Sequence, residues 1–392
     1  MYTYSNTILN QLLQFIPKSK FQAFVGQHQG DRYVKSLTTW NQLVILLYAQ
    51  ATGKSSLREI EIGLKTHPGT WYHTGIGSVA RSTLSDANNR RPYEIFRKLF
   101  AEILTQCKEV TPKSRGFSFK NPLYALDSTT IILCLSLFDW ALYSKQKGAL
   151  KLHTLLDLRS SIPEIMDATH GKVDDRVAGR QMNLSGLPKG SIIVMDRAYM
   201  DYAWWRRMSE QGLFFVTRQS PIQVITDLGQ HTAPNMSKGI LKDRRVRLGT
   251  YPKAKLHPKP LRQIIYYDQE KQETYTYLTN NWKLAASTIA DIYKHRWQIE
   301  LFFKWIKQHL KIRSFLGTSQ NAVLTQIWVA IIYYLLLAYI KFQTKFTRSL
   351  LELTRMIRET LLIRRPLIDL LSLNTKTIAR LQIRDGPQLG LF

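Results

Sequence analysis

Over the first 110 residues apolar positions recur at helical spacing. WNQLVILLYAQAT (residues 40–52) stops at Gly53, Ser55 or Ser56 stands where a cap for SLREIEIGLK is needed, and Pro92 opens PYEIFRKLFAEIL. Between them VARSTLSDANNRR reads as a short polar helix with Ser82 as its cap. From residue 116 the pattern changes to short β-favouring runs, LYALD, IILCLSLF, KLHTLLDL and IPEIMDATH, then a helix-compatible stretch from Asp174 to Leu184, then SIIVMD. Four extended runs, a helix and a further strand predict a mixed α/β sheet. Residues 213–280 are again β-rich, and from Ile289 the chain reads as helical to its end. IWVAIIYYLLLAYI (residues 327–340) falls short of the roughly 20 residues a bilayer span needs and reads as a buried core helix.

The pattern divides the chain into a helical segment 1–112, an α/β segment 113–330 with a mostly β insertion near 213–285, and a helical segment 331–392. Charge adds a partner class. The net charge is +27, distributed as +9 over residues 1–120, +1 over 121–200, +11 over 201–340 and +6 over 341–392. Such an excess favours a polyanion, nucleic acid before others, although charge alone carries no sequence specificity. The one near-neutral segment is rich in carboxylates, as a metal centre flanked by phosphate-holding surfaces requires. Two cysteines, Cys107 and Cys134, make neither a disulfide framework nor a zinc site, and a reducing cytoplasm is expected. The N-terminus lacks the pattern of a signal peptide. In VARSTLSDANNRR, the side chains of Arg81, Ser85, Asn88, Asn89, Arg90 and Arg91 suit phosphates and base edges. A solvated connecting helix has the same composition.

Asp127 and Asp196 each close an apolar run, LYAL and IIVM, where a strand end meets solvent. Either alone is an ordinary turn former. Tyr293, Arg296, Glu300 and Lys307 are sharper, because on an unbroken helix they share an arc of roughly 60°. Ile292, Ile299, Phe303, Ile306 and Leu310 form the neighbouring apolar stripe, and Trp297 is read with the core. A salt-bridged surface helix, with Glu300 paired to Arg296 or Lys304, fits the same spacing.

Tyr293-x2-Arg296-x3-Glu300-x6-Lys307 resembles the YREK signature of the IS4 family of DDE transposases. YALDSTTI and SIIVMDRAYMDY resemble the blocks carrying that family's first two acids, GLFFVTR the strand that follows, and RSTLSDANNRRPYEIF the preceding helical module. The resemblance implies an RNase H-like fold with a β insertion between the second and third acids. It implies that Asp127, Asp196 and Glu300 are the catalytic and metal-binding residues, holding two Mg²⁺ ions for which Mn²⁺ can substitute; a hard cation wants such an all-oxygen set. It implies that Tyr293, Arg296 and Lys307 grip DNA phosphates, and that Tyr275 occupies the place of a base-stacking residue where a Trp is expected. Arg81, Asn88 and Arg91 are the DNA-binding residues expected of the N-terminal module. Lys151, His153 and Asp174 take supporting positions.

The expected activity is metal-dependent cleavage and strand transfer at insertion-element ends. The expected partners are double-stranded DNA with terminal inverted repeats, target DNA and a second copy of the chain, with no membrane, in a nucleoid-associated cytoplasmic enzyme. Two alternatives share much of this sequence logic: a structure-specific nuclease of the same fold, and a catalytically silent DNA-binding protein. A tyrosine recombinase needs an Arg-His-Arg-Tyr set that is not found.

Overall fold

The computed structural model describes residues 6–71, 74–111, 117–144, 147–249, 253–312 and 314–372. The chain forms two compact units, residues 1–111 with 309–392, and residues 112–308. The expected three-part division changes accordingly: position 330 falls inside a 24-residue helix, and the chain after residue 309 completes the N-terminal unit. Of the segment expected to stay helical to the end, residues 373–392 lie outside the described residues.

The first unit is helical. Its N-terminal part holds α1 (Ile8–Leu13), α2 (Lys18–Gln27), α3 (Thr39–Thr52), α4 (Leu57–Thr66), α5 (Arg81–Arg90) and α6 (Glu94–Val110). Thr38 caps α3 by accepting from the Asn41 N–H, and Gly53 ends that helix in the left-handed region that its missing Cβ permits. Ser56 is the cap of α4. The α5 helix starts at Arg81 behind Ala80, so Ser82 sits in its first turn and is not the cap. After the second unit come α11 (Gln320–Gln343), α12 (Leu350–Thr360), closed by a Ser349/Glu352 capping box, and α13 (Leu367–Ser372). The apolar run expected to be too short for a bilayer belongs to a helix that is long enough, yet 94% of its most apolar window is buried against protein. It packs on α3, α5, α6 and α12, and a helix that is apolar all round is satisfied only by such a surround. Asn321 on α11 ties the α5–α6 corner, donating to the carbonyls of Asn88 (2.9 Å) and Arg91 (2.6 Å) and accepting from the Tyr93 N–H (3.1 Å).

The second unit is built on one ten-stranded sheet. Its strands are β1 (Leu123–Leu133), β2 (Leu142–Ser144), β3 (Lys147–Asp157), β4 (Ile162–His170), β5 (Ile192–Met195), β6 (Phe214–Arg218), β7 (Ile225–Gln230), β8 (Ile240–Leu248), β9 (Leu261–Asp268) and β10 (Glu273–Thr279). The helices are α7 (Asp175–Gln181), α8 (Tyr202–Glu210), α9 (Ala286–His295) and α10 (Trp297–His309). Strands β4, β3 and β1 pair antiparallel, while β1, β5 and β6 run parallel. This is the RNase H-like arrangement, a mixed α/β fold. Ile192, Ile193, Val194 and Met195 are all fully buried, as a parallel strand covered on both faces demands. Tyr124, Leu126, Ile193, Met195 and Phe215 pack with Met182, Trp204, Trp205 and Met208 on the α7/α8 face. Strands β10, β9, β8 and β7 continue the sheet beyond β6, so the β insertion begins after Arg218; β6 pairs with β5 and belongs to the parallel core.

One ion pair is sealed inside the insertion. The Arg262 guanidinium donates to both oxygens of Asp243 (2.9 and 2.7 Å) and to the Leu284 carbonyl (2.6 Å), with both charged residues about 1% exposed. It fastens β8 and β9 to the turn that leads into α9. Removing one partner strands a buried charge, so Asp243→Ala is expected to destabilise this unit by about 3–5 kcal/mol. Asp243→Leu combined with Arg262→Met should recover most of the loss in urea unfolding. A single variant within experimental error of the parent would show that the pair is not holding the insertion.

Candidate active site

Asp127 was expected to close its strand, but β1 runs on through it to Leu133. What ends is the pairing with β5: the last matched residues are Leu126 with Met195, and across the next strand Met195 with Thr217. The next residues in line are Asp127, Asp196 and Arg218, side by side just past the level where the parallel pairing stops. Ligand sites in open α/β sheets form at such ends, where the ladder has stopped and side chains meet solvent. Because Leu126 and Met195 point toward α7 and α8, alternation turns both acids to the opposite face.

Glu300 reaches the acids through Arg296. The guanidinium donates from Nη1 to Asp127 Oδ2 (2.9 Å) and from Nη2 to Glu300 Oε1 (2.7 Å), and its side chain is 15% exposed. The salt bridge foreseen between Arg296 and Glu300 is therefore present and extends to Asp127. The single helix expected here is broken. α9 ends at His295 and α10 starts at Trp297, with three-residue bonds from Arg296 N to Tyr293 O and from Ile299 N to Arg296 O, both 3.1 Å. A three-residue step shifts the phase of every later side chain, so the roughly 60° arc of an unbroken helix no longer applies. Lys307 lies half-buried two turns beyond Glu300, about 10 Å along the axis.

The back of β1 carries a second polar cluster. Ser128 faces His153 across the β1–β3 ladder, and Thr130 faces Lys151. Ser128 Oγ donates to Asp175 Oδ1 (2.9 Å), Lys151 Nζ donates to the same oxygen (3.2 Å), and His153 Nδ1 stands 3.7 Å from it. The acid in this cluster is Asp175. Asp174, the expected supporting residue, caps α7 and pairs with Arg176 at the surface, because helix geometry turns adjacent residues about 100° apart. Burial pushes His153 down to about 4, which keeps it neutral, and its Nε2 bonds Thr169 Oγ1 (2.9 Å). Thus Asp127 is held from in front by Arg296 and its strand from behind by Asp175.

A cleft of about 310 Å³ opens beside Asp196 and is lined by Arg197, Arg218, Tyr275, Tyr293, Arg296 and Trp297. Arg218 lies 4.8 Å above the half-exposed Tyr275 ring, and Tyr293 packs on Tyr277 at 4.9 Å. Burial raises the Tyr293 hydroxyl to about 12, so it is a neutral donor. Trp297, read as core, is 58% exposed at the cleft, off the buried stripe of Ile292, Ile299 and Phe303. Arg197 and Arg218 were missed in the sequence; the signal available was Arg218's place at the end of FFVTR, matching that of Asp196 after IIVM.

In the helical unit the expectation for two residues is corrected. Asn88 and Arg91 are buried: Gln42 Nε2 donates to Asn88 Oδ1 (2.8 Å), and Arg91 donates to Gln42 Oε1 (3.1 Å) and to the Leu37 carbonyl. Their polar groups are consumed inside the fold and do not face DNA. Arg81 and Arg90 are exposed.

Three carboxylates from three elements offer hard oxygen donors suited to a divalent cation. Among the described residues, no three acidic, His or Cys side chains are gathered closely enough to hold one as they stand. The Arg296 guanidinium takes the position between two of the acids, and it already supplies there one positive charge of the kind they require.

Residues 118–336 match the transposase DDE domain family, and residues 4–77 match a domain of unknown function, DUF4372. Similar proteins include one of Sinorhizobium fredii named as a transposase, y4zB (35% identical, covering 74% of this chain and 79% of that one). Another is named as a transposase for insertion sequence element IS5377 of Geobacillus stearothermophilus (32% identical, 87% and 86%). A third is named for element IS4SA of Synechocystis (26% identical, 71% and 76%). The fold and the row of acids define an RNase H-like DDE enzyme, and the chain belongs to the DDE transposases. It is a transposase, acts on DNA and depends on divalent metal.

Burial pushes the Asp127 carboxyl up to about 6, outweighing the Ser128 N–H and the Arg296 charge, which pull it down; Asp196 and Glu300 add to the rise. The folded chain therefore binds this proton more tightly than the unfolded chain. In chelator, this group adds stability as pH falls through 6 toward 4, on the order of 2 kcal/mol, and withholds it above 6. Urea unfolding of wild type and Asp127→Asn between pH 7.5 and pH 5 should give curves that converge as pH falls. Parallel curves would refute the assignment.

Proposed function

We propose that this transposase cuts and rejoins DNA at insertion-element ends, with Asp127, Asp196 and Glu300 holding two Mg²⁺ ions, or Mn²⁺ in their place. When bound, such ions neutralise the entering and leaving oxygens of an in-line displacement at phosphorus. The observation that supports the reading is the alignment of Asp127 and Asp196 on adjacent strands, just past the end of their parallel pairing, with Glu300 joined to Asp127 through one guanidinium. Arg296 stands in for the cation until the acids are otherwise neutralised. Its planar fork then suits a phosphate. Tyr293 and Lys307 are assigned to phosphates on either side of it, and Tyr275 beneath Arg218 offers a surface for a displaced base. The spacing of these groups supports a place in the IS4 family. Arg81 is assigned a phosphate contact from the N-terminal module. The partners are double-stranded DNA bearing terminal inverted repeats, target DNA and a second copy of the chain across paired ends, in the nucleoid of the cytoplasm.

Asp127→Asn, Asp196→Asn and Glu300→Gln should each lower Mg²⁺-dependent nicking of an end duplex by roughly 100-fold or more while leaving binding in EDTA nearly unchanged. Any of the three that cuts at near wild-type rate is not a metal ligand, and a wild type that nicks without forming joined products is a nuclease. Arg296→Gln separates the two roles of that side chain. Without DNA it should bind Mn²⁺ several-fold more tightly, because the competing cation is gone. With DNA it should flatten the salt dependence of binding by about one unit of slope. Unchanged Mn²⁺ affinity together with an unchanged slope would return Arg296 to the scaffold.

A further inference from the structure

Both aspartates of the row are oriented by the amide that follows them. Asp127 Oδ1 accepts from the Ser128 N–H (2.8 Å), and Asp196 Oδ1 accepts from the Arg197 N–H (2.6 Å). Each carboxylate therefore turns with its next peptide, and whatever holds that peptide aims the acid. The parallel ladder between β1 and β5 has already stopped at Leu126 and Met195, so it does not fix these two peptides relative to one another. One short helix on the opposite face of the sheet touches both segments. α7, capped by Asp174, opens with Asp175, whose Oδ1 accepts from Ser128 Oγ (2.9 Å) and Lys151 Nζ (3.2 Å). One turn further, Gly179 lies against the Tyr199 ring, and Arg180 Nε pairs with Asp201 Oδ2 (3.3 Å). Tyr199 ends the single 3-10 turn that Asp196 caps; its N–H donates to the Asp196 carbonyl (3.1 Å), and it is 1% exposed. The fit at Gly179 is close. A Cβ there would stand 3.0 Å from the Tyr199 ring and 3.2 Å from Trp204, so the turn would have to give by a few tenths of an Å.

We propose that α7 is a clamp that registers Asp127 and Asp196 with one another, with Asp175 and Gly179 as positioning residues that act through Ser128 and Tyr199. The helix is about 10 Å long and moves as one body, so a shift imposed at either tie is carried to the other. Neither positioning residue reaches the face where the acids lie, and neither touches an acid directly. What they control is the pair of peptides that aim the carboxylates. Groups standing behind metal ligands govern cation affinity in this way, by fixing the orientation of the donor atoms. The consequence for the cation rests on the reading of Asp127 and Asp196 as metal ligands; the coupling of strand to turn is a property of the chain without metal.

The test has two arms, both on the full chain. In EDTA, hydrogen exchange reads the coupling: Ser128→Ala should speed exchange of the Tyr199 and Met200 amides, and Gly179→Ala that of the Ser128 and Thr129 amides. Each effect should be roughly fivefold, the equivalent of one net hydrogen bond. Should Gly179→Ala fail to fold, Arg180→Ala, which cuts the tie to Asp201 at the surface, serves in its place. In the second arm Mn²⁺ binding without DNA is followed by electron paramagnetic resonance. Ser128→Ala, Asp175→Asn and Gly179→Ala should each weaken it by roughly tenfold, and Ser128→Thr, which keeps the hydroxyl, should retain it. Ser128→Ala and Gly179→Ala together should cost no more than the larger single change, because both act along one path. DNA binding in EDTA should keep its wild-type salt slope. A variant that melts early but binds Mn²⁺ as the wild type does belongs to the scaffold, and exchange that changes only beside each substitution overturns the clamp. A wild type whose Mn²⁺ affinity is untouched by Asp127→Asn, with the remote exchange effects intact, would overturn the metal reading and leave the clamp standing.

Discussion

Carboxylates placed near one another without a counter-charge repel, and a fold that places them so must neutralise them or lose stability. In this protein the Arg296 guanidinium does so, spanning Asp127 on β1 and Glu300 on α10 with two charge-assisted bonds. Much of the local architecture follows from that need. Arg296 must sit where one side chain reaches both acids, and it does so at the junction between α9 and α10, where the hydrogen-bond step shortens to three residues. The bridge thus joins β1 to α10 through one guanidinium.

The acids are presented by a general property of parallel strands. Pairing along β1, β5 and β6 ends at one level, and the residues just past that level share a face and an opening to solvent. Two of them are carboxylates and the third is Arg218, so the row changes from negative to positive across the sheet. Behind the row, Asp175 binds Ser128 and Lys151, and stiffens the strand from its other face.

Burial explains why polar residues of similar appearance have different work. Arg91 and Arg296 are both desolvated guanidinium groups with two partners, yet Arg91 bonds only a neutral amide and a carbonyl inside the helices. Nothing there exchanges with solvent or ligand, so its role is to fix a loop. Arg296 bonds two acids at the rim of a cleft, where the partners of each can be replaced. Exposure of the partners, more than charge, separates an arginine sealed among the helices from one at a cleft.

The linear sequence by itself determined a good deal: the α/β segment between helical ends, the place of Asp196 just after the strand IIVM, the β-rich insertion, and the spacing of Tyr293, Arg296 and Glu300. These are legible because period, caps and apolar runs are local, and because a motif keeps its spacing along the chain whatever the fold. Tertiary structure decided the rest. It joined residues after 309 to the first 111, broke the helix at Arg296, turned Trp297 out and Asn88 and Arg91 in, and chose Asp175 over Asp174. Each of those outcomes depends on what packs against a residue from a distant part of the chain. Neighbours in sequence carry no record of that contact, and the partners' burial sets whether a charge is a scaffold, a ligand or a surface.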